Sequence, residues 1–347
     1  MRLPKLPEGF TPEFLSELLG RSFVTVAVDQ VGDGTGMMAE MSRLTMKMEG
    51  ESGQLSVIAK YSSQNPTNRG IAVSFNLYER EARYYAELDK QTDICTPDIY
   101  FVDVDGDNML ILMQDLGDYE VGSQEVGANL AQTEIAVDQL AKLHGAFWDR
   151  IDELDWVPGI ADSYHADNMY NLGLLGWDVM VEGFGISDQV NSYKKSFFEA
   201  LPSLQREQYR SPRTLLHGDF RMENLLYGTQ AGQEDVVVID FQGPLLGSGF
   251  VDLALFLGQS TKTEVRKQHE KELVGRYVEG LKAEGVSSID NDAAWLAYRR
   301  AILYNWVYAA VVAGTLDSSN EKTSAWMKQM VDRQLAATFQ LDIFELL

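Results

Sequence analysis

The sequence predicts an α+β protein in two lobes: a small antiparallel β-sheet with one main helix, then a larger, mainly α-helical part. Three observations carry this expectation. Short β-patterned segments dominate the first third of the chain, and long segments with helical spacing dominate the remainder. The composition changes near Gly117, which divides the chain into an expected nucleotide-binding lobe, residues 1–116, and an expected catalytic and substrate-binding lobe, residues 117–347.

Residues 23–28, 44–48 and 55–60 are short and rich in alternating or β-branched side chains, as half-buried strands are. Residues 99–104 and 109–114 form a second pair, with the hairpin-turn sequence Asp105-Gly106-Asp107-Asn108 between them. Residues 75–90 lie between the two groups and have helical spacing. Further on, helical patterns cover 132–149, 190–201, 264–284, 291–314 and 322–346, interrupted by a β-rich island at 215–241.

Composition narrows the range of partners. The 347 residues can bury a sizeable core. Twenty-nine Lys and Arg face 52 Asp and Glu, a net charge of −23. Such a chain repels nucleic acid and anionic lipid, and its field favours a cationic partner or simply keeps the protein in solution. Cys95 is the single cysteine, so no internal disulfide forms, which fits a reducing cytoplasm. Residues 1–10 carry two prolines and no apolar run, so no signal peptide is expected there. The most apolar stretch, 301–315, is too short to span a bilayer, contains Asn305 and follows Arg299 and Arg300. It reads as a buried helix.

The strongest chemical signal is the run His217-Gly218-Asp219-Phe220-Arg221-Met222-Glu223-Asn224. Asp219 and Asn224 have the spacing of a kinase catalytic loop. Phosphoryl transfer needs a carboxylate to hold and deprotonate the acceptor hydroxyl, and an oxygen ligand for the Mg²⁺ that accompanies ATP. One short loop can supply both. Downstream, the apolar run Val236-Val237-Val238-Ile239 ends in Asp240, a carboxylate at a strand end suited to a second Mg²⁺ contact. An isolated aspartate there would more often be a turn residue or helix cap. Its place shortly after the Asp219/Asn224 loop favours the metal reading.

These segments resemble the aminoglycoside-phosphotransferase and choline-kinase-like group, relatives of the protein kinases. The likeness rests on His-Gly-Asp followed by Phe-Arg-Met-Glu-Asn-Leu-Leu-Tyr, then Ile239-Asp240-Phe241-Gln242, then Val251-Asp252-Leu253-Ala254. Within the group the sequence is most similar to the ecdysteroid-kinase-like branch and to the kinase-like domains of acyl-CoA-dehydrogenase-associated proteins. The resemblance implies a two-lobe protein-kinase-like fold, Asp219 as catalytic base, and Asn224 and Asp240 as Mg²⁺ ligands. Asp252 and His217 would brace the loop.

The first lobe offers the remaining parts. Lys60 ends the segment 55–60, where a kinase lysine meets the α- and β-phosphates and pairs with a helix glutamate. Glu79 and Glu81 compete as its partner. Phe75, Tyr78, Ala82, Tyr85 and Leu88 mark the apolar face of that helix, and Glu81 borders it while Glu79 turns toward solvent. Glu81 is therefore the expected partner. Gly32, Gly34 and Gly36 alternate in a loop that either lets backbone amides approach phosphate or is a plain hairpin. The segment Gln114-Asp115-Leu116 stands where main-chain groups would meet the adenine edge; Asp115 and Asp118 read equally as turn acids.

Arg221 has two readings: it offsets charge on the transferring phosphoryl group, or it pairs with Glu223. Gln242 replaces the glycine that follows Asp-Phe in protein kinases, and only a short link leads to Asp252. Both features point away from a protein substrate and toward a small hydroxylated acceptor. Trp295, Tyr298, Tyr304, Trp306 and Tyr308 cluster in the C-terminal helices, as core or as walls for a cationic acceptor. His144 and Trp148 read as core. The expected function is an ATP-dependent small-molecule kinase; the alternative is an inactive nucleotide-binding or interaction protein on the same fold.

Overall fold

The computed structural model describes residues 3–4, 7–32, 38–50, 52–151, 154–210, 212–287, 289–316 and 318–347. Two compact units emerge. The first comprises Met1–Gln91, Cys95–Tyr119 and Val237–Gly243, and the second comprises Thr92–Ile94, Glu120–Val236 and Pro244–Leu347.

The first unit opens with α1 (Pro12–Leu19), which Thr11 caps by accepting the Phe14 N–H and which Gly20 ends in a left-handed turn. Five strands follow: β1 (Phe23–Gln30), β2 (Ala39–Met48), β3 (Gln54–Ser62), β4 (Ile99–Asp105) and β5 (Asn108–Gln114). They form one antiparallel sheet in the order β1-β2-β3-β5-β4. The β4–β5 hairpin turns at Gly106, whose φ of 58° suits a residue without Cβ. Strand periodicity places Leu55, Val57, Ala59 and Tyr61 of β3 in a core with Phe10, Leu15, Leu44, Met46, Leu110 and Leu112. Ser56, Ile58 and Lys60 consequently lie on the other face of β3.

Between β3 and β4 the helix expected over 75–90 is present from residue 77, and a separate short helix precedes it. α2 (Pro66–Ser74) stops at Phe75, and α3 (Leu77–Arg83) starts after Asn76, which sits at φ 54°. Asparagine tolerates this left-handed geometry better than most residues. α3 then widens into a π-helical turn, Tyr84–Leu88, and closes as a 3₁₀ turn, Asp89–Gln91.

The second unit is mainly helical, with short strands carrying its loops. β6 (Glu120–Val121) leads to α4 (Leu130–Ala146), which begins with a capping box between Asn129 and Gln132. α5 (Ser163–Phe184), α6 (Asp188–Asn191) and α7 (Lys194–Gln208) precede β7 (Thr214–Leu216) and β8 (Leu225–Tyr227). β6 pairs with β8. β9 (Val236–Val238) runs into the first unit, and β10 (Leu245–Gly247) pairs back on β7. α8 (Phe250–Leu255), α9 (Thr263–Ala283), α10 (Asn291–Tyr304), α11 (Trp306–Thr315) and α12 (Glu321–Gln340) complete the chain.

The second unit departs from sequence expectation as well. α5 and its pairing with α11 were not predicted; the two helices cross so closely that a Cβ on Gly314 would fall 2.1 Å from the Gly176 carbonyl oxygen. The segment 291–314 breaks at Asn305, whose buried amide donates to the Val251 carbonyl at 3.1 Å. The apolar stretch 301–315 is buried along most of its length as the end of α10 and the body of α11. No helix among the described residues is long and apolar enough to cross a membrane.

Candidate active site

In the first unit, β3 brings Lys60 under α3. Its Nζ lies 2.6 Å from Glu81 Oε1 and 2.6 Å from Asp240 Oδ1. Glu81 is buried, whereas Glu79 is exposed and accepts from the Asn76 amide. Burial disfavours the Lys60 charge, but the two carboxylates outweigh it and hold the ammonium above its ordinary pKa. For Glu81 burial dominates and raises the carboxyl; Lys60 pulls it down and Asp240 adds to the rise. Asp240 adopts φ 68° at the end of β9. The next residue, Phe241, is fully buried against Tyr84 and Tyr85.

Other predicted nucleotide contacts lie in this unit. Gly32 has φ 84°, with open space where a Cβ would be. Gly34 and Gly36 fall outside the described residues. At the end of β5, the Gln114 N–H donates to the Asp98 carbonyl at 2.8 Å, and the Leu116 carbonyl accepts the Tyr119 N–H at 3.0 Å. Asp115 between them is tied to Arg43 through two bonds, 2.6 and 3.1 Å, and accepts from Ser56. That pairing, with Arg43 bonding most strongly, lowers the Asp115 carboxyl pKa.

In the second unit, the loop between β7 and β8 carries Asp219, Arg221 and Asn224. Its start is pinned from below. The fully buried Asp252 carboxylate, on α8, accepts the His217 N–H at 2.6 Å and the Gly218 N–H at 3.2 Å. Gly218 takes φ 82° to make this turn. His144, expected only as core, approaches the same carboxylate through Nε2 at 3.4 Å, and its Nδ1 meets the Tyr277 hydroxyl at 2.8 Å. The far end of the loop is held by Gln124, whose amide oxygen accepts the Met222 N–H at 3.2 Å and the Ser260 hydroxyl at 2.9 Å. No local sequence pattern marks Gln124 for this task.

The Asn224 amide donates to the Asp219 carbonyl at 2.8 Å and lies 3.3 Å from Asp219 Oδ2. Arg221 bonds Glu223 at 2.6 Å, places Nε 3.4 Å from Asp219 Oδ2, and rests over the Trp326 ring at 5.0 Å. Of the C-terminal aromatics, Tyr298 is buried and donates to Glu270, Trp306 is buried and donates to Thr338, and Tyr304 is buried. Tyr308 alone of these reaches the loop: its hydroxyl donates to Asp219 Oδ1. Sequence placed Tyr308 among the aromatics but held no signal for that contact.

A profile of the ecdysteroid kinase-like family matches residues 33–153 and 174–286. No curated protein matches the chain. Among solved structures, the chain is similar in fold to the GDP complex of wild-type aminoglycoside 2'-phosphotransferase-IIIa, with TM-score 0.56 and 12% identity over 95% of this chain and 99% of that one. Choline kinase from Cryptosporidium parvum Iowa II aligns with TM-score 0.56 and 12% identity, over 92% of each chain. The streptomycin-ATP ternary complex of APH(2")-IIa aligns with TM-score 0.51 and 14% identity, over 99% of each. At such identities the likeness is one of fold, the two-lobe kinase-like fold. Matched by the profile over more than half of its length, the chain belongs to the ecdysteroid kinase-like family.

Proposed function

We propose that this protein transfers the γ-phosphate of ATP to a hydroxyl of a small molecule, with Asp219 as the base. The observation that carries the reading is the Asp219–Asn224 loop: the Asn224 amide donates to the Asp219 main-chain carbonyl at 2.8 Å and lies 3.3 Å from its carboxylate, and Asp252 anchors the loop's backbone. Membership of a kinase-like family supports it. ATP and GDP in the complexes of similar fold support a purine nucleotide as donor.

Asp219 accepts the acceptor's hydroxyl proton as the oxygen bonds to the γ-phosphorus. The bond to the β,γ-bridging oxygen breaks and ADP leaves. Lys60, kept charged by its two carboxylates, donates to the α- and β-phosphates. Glu81 aims it. The glycine loop that includes Gly32 would offer backbone amides to the phosphates, and main-chain groups of residues 114–116 would meet the adenine edge. Arg221 offsets charge on the transferring group and is itself steadied by Glu223.

The donor set suits Mg²⁺. Asn224 uses its NH₂ on Asp219, which leaves its amide oxygen to face a cation, and Asp240 supplies a carboxylate. Among the described residues no group of three or more His, Cys, Asp or Glu forms a cage. Magnesium asks for none, because it takes most of its ligands from phosphate and water. Held by Asn224 and Asp240, the ion would neutralise charge on the triphosphate.

The acceptor is a small hydroxylated molecule. Asp219 and Glu223 against Arg221 leave an acidic balance at the base, which accommodates a cationic acceptor. One cysteine fits a cytoplasmic setting. The test is acceptor-dependent ADP formation across a panel of hydroxylated metabolites and aminoglycosides, with Mg-ATP or Mg-GTP. Asp219→Asn should lower the rate by roughly 10²–10⁴-fold. Full transfer by that variant would overturn the assignment.

A further inference from the structure

Both oxygens of the Asp219 carboxylate are already engaged by the protein. Oδ2 faces Asn224 at 3.3 Å and Arg221 at 3.4 Å, both from its own loop. Oδ1 takes the Tyr308 hydroxyl, 89 positions away on α11. A general base needs an oxygen directed at the alcohol it deprotonates. A phenol O–H donating to a carboxylate makes the same bond that an acceptor alcohol would make.

From this we infer that Tyr308 caps Asp219: its hydroxyl holds the acceptor's place on the base, keeps water from it, and yields Oδ1 when an acceptor alcohol arrives. The inference rests on Asp219 being the base. The geometry suits such an exchange. Asp219 retains 20% side-chain exposure and Tyr308 is partly accessible, so an incoming alcohol can reach the bond. Burial, and then the Asp219 charge, push the Tyr308 phenol well above its ordinary pKa. It therefore stays a donor throughout the working pH range. The cap also has a firm mount. α11 is locked to α5 at the Gly176–Gly314 crossing, and Trp306 is bonded to Thr338 at 2.9 Å.

The cap would suppress a wasteful reaction. With Asp219 open, water can give its proton to the carboxylate as its oxygen bonds to the γ-phosphorus. The β,γ-bridging bond then breaks, releasing ADP and inorganic phosphate. Tyr308 bars water from that bond and leaves the alcohol as the favoured nucleophile.

The test uses the full chain with Mg-ATP alone and measures ADP release. Tyr308→Phe keeps the ring and removes the hydroxyl. It should raise acceptor-free hydrolysis roughly tenfold over the unsubstituted protein, the scale of a hydrogen bond to a charged group. Asp219→Asn, alone or combined with Tyr308→Phe, should leave hydrolysis at the floor. Tyr308→Phe at or below the unsubstituted rate, with Asp219→Asn still silencing turnover, would overturn the cap while sparing the base. Hydrolysis undiminished by Asp219→Asn would overturn the base itself. Intact-mass analysis after incubation guards against another role: phosphate on Tyr308 would make it an acceptor and defeat the cap. If Tyr308→Phe fails to melt cooperatively, Tyr308→Leu, which also lacks the donor, gives the same reading.

Discussion

The Tyr84 ring lies flat on that of Phe241, with centroids 3.7 Å apart and planes 3° from parallel. Tyr85 meets the same ring edge-on at 6.0 Å. Phe241 directly follows Asp240, and Asp240 is held at φ 68°, a backbone state that costs a non-glycine residue about 1–3 kcal/mol. The aromatic clamp is the packing that holds this turn in place.

Two substitutions separate the ring of Tyr84 from its hydroxyl. The hydroxyl is buried and has no hydrogen-bond partner among the described residues. Tyr84→Phe should therefore be neutral or stabilise by about 1 kcal/mol, since it removes an unsatisfied polar group and keeps the stack. Tyr84→Ala should cost about 3–5 kcal/mol and raise the KM for Mg-ATP by loosening Asp240. Urea unfolding and ATP titration check both. Equal losses from the two substitutions would refute the clamp.

The Lys60 cluster predicts a pH dependence of stability. Burial, the largest influence, raises the Glu81 carboxyl from 4.5 to about 7. The folded state thus holds this proton more tightly than the unfolded chain does. The stability it contributes is fully present below about 4.5 and is lost as pH rises through about 7. Lys60 is shifted upward from 10.5, so its contribution is constant over that window and disappears only above it. Glu81→Gln cannot release a proton. The unsubstituted protein should therefore lose stability relative to Glu81→Gln between pH 5 and 8, by on the order of 1 kcal/mol or more. Urea midpoints at unit pH steps measure it; a flat difference would contradict the shift.

The α5–α11 crossing predicts a size limit. A Cβ on Gly314 would meet Gly176 backbone atoms at 2.1–2.4 Å, and one on Gly176 would meet the Ala310 carbonyl oxygen at 2.2 Å. Backbone cannot swing aside as a side-chain tip can. Gly314→Ala should destabilise by about 1–3 kcal/mol or more and, because α11 carries Tyr308, should also raise acceptor-free ATP hydrolysis. Gly183→Ala on α5, where a Cβ meets nothing within 4 Å, is the control and should leave stability within about 0.5 kcal/mol. Thermal melts of the pair decide the matter.

Much of the first unit was legible because its strands carry their own signals. The β4–β5 turn announces itself in Asp105-Gly106-Asp107-Asn108, and the pairing of Asp105 with Asn108 follows. Glu81 could be preferred to Glu79 as the neighbour of Lys60 because three- and four-residue spacing reveals the buried side of a helix. The separate helix α2, which Asn76 sets apart from α3, was hidden, since its end depends on one residue accepting a left-handed turn. α5 was hidden for another reason: its glycines and scattered polar residues blur the apolar period, and its stability comes from the face it shares with α11.

The sequence by itself determined the α+β class, the kinase-like family, and the order of Lys60, Glu81, Asp219, Asn224, Asp240 and Asp252, because motif spacing and strand or helix period are local properties of the chain. Tertiary structure alone decided that Lys60 serves not only Glu81 but also Asp240, 180 positions from it; that Gln124 holds the far end of the loop whose start Asp252 braces; and that Tyr308, rather than its aromatic neighbours, lands on Asp219. Such contacts arise from how distant helices and strands pack. A few ångströms or one helical turn would replace one partner with another, and no short stretch of sequence carries that information.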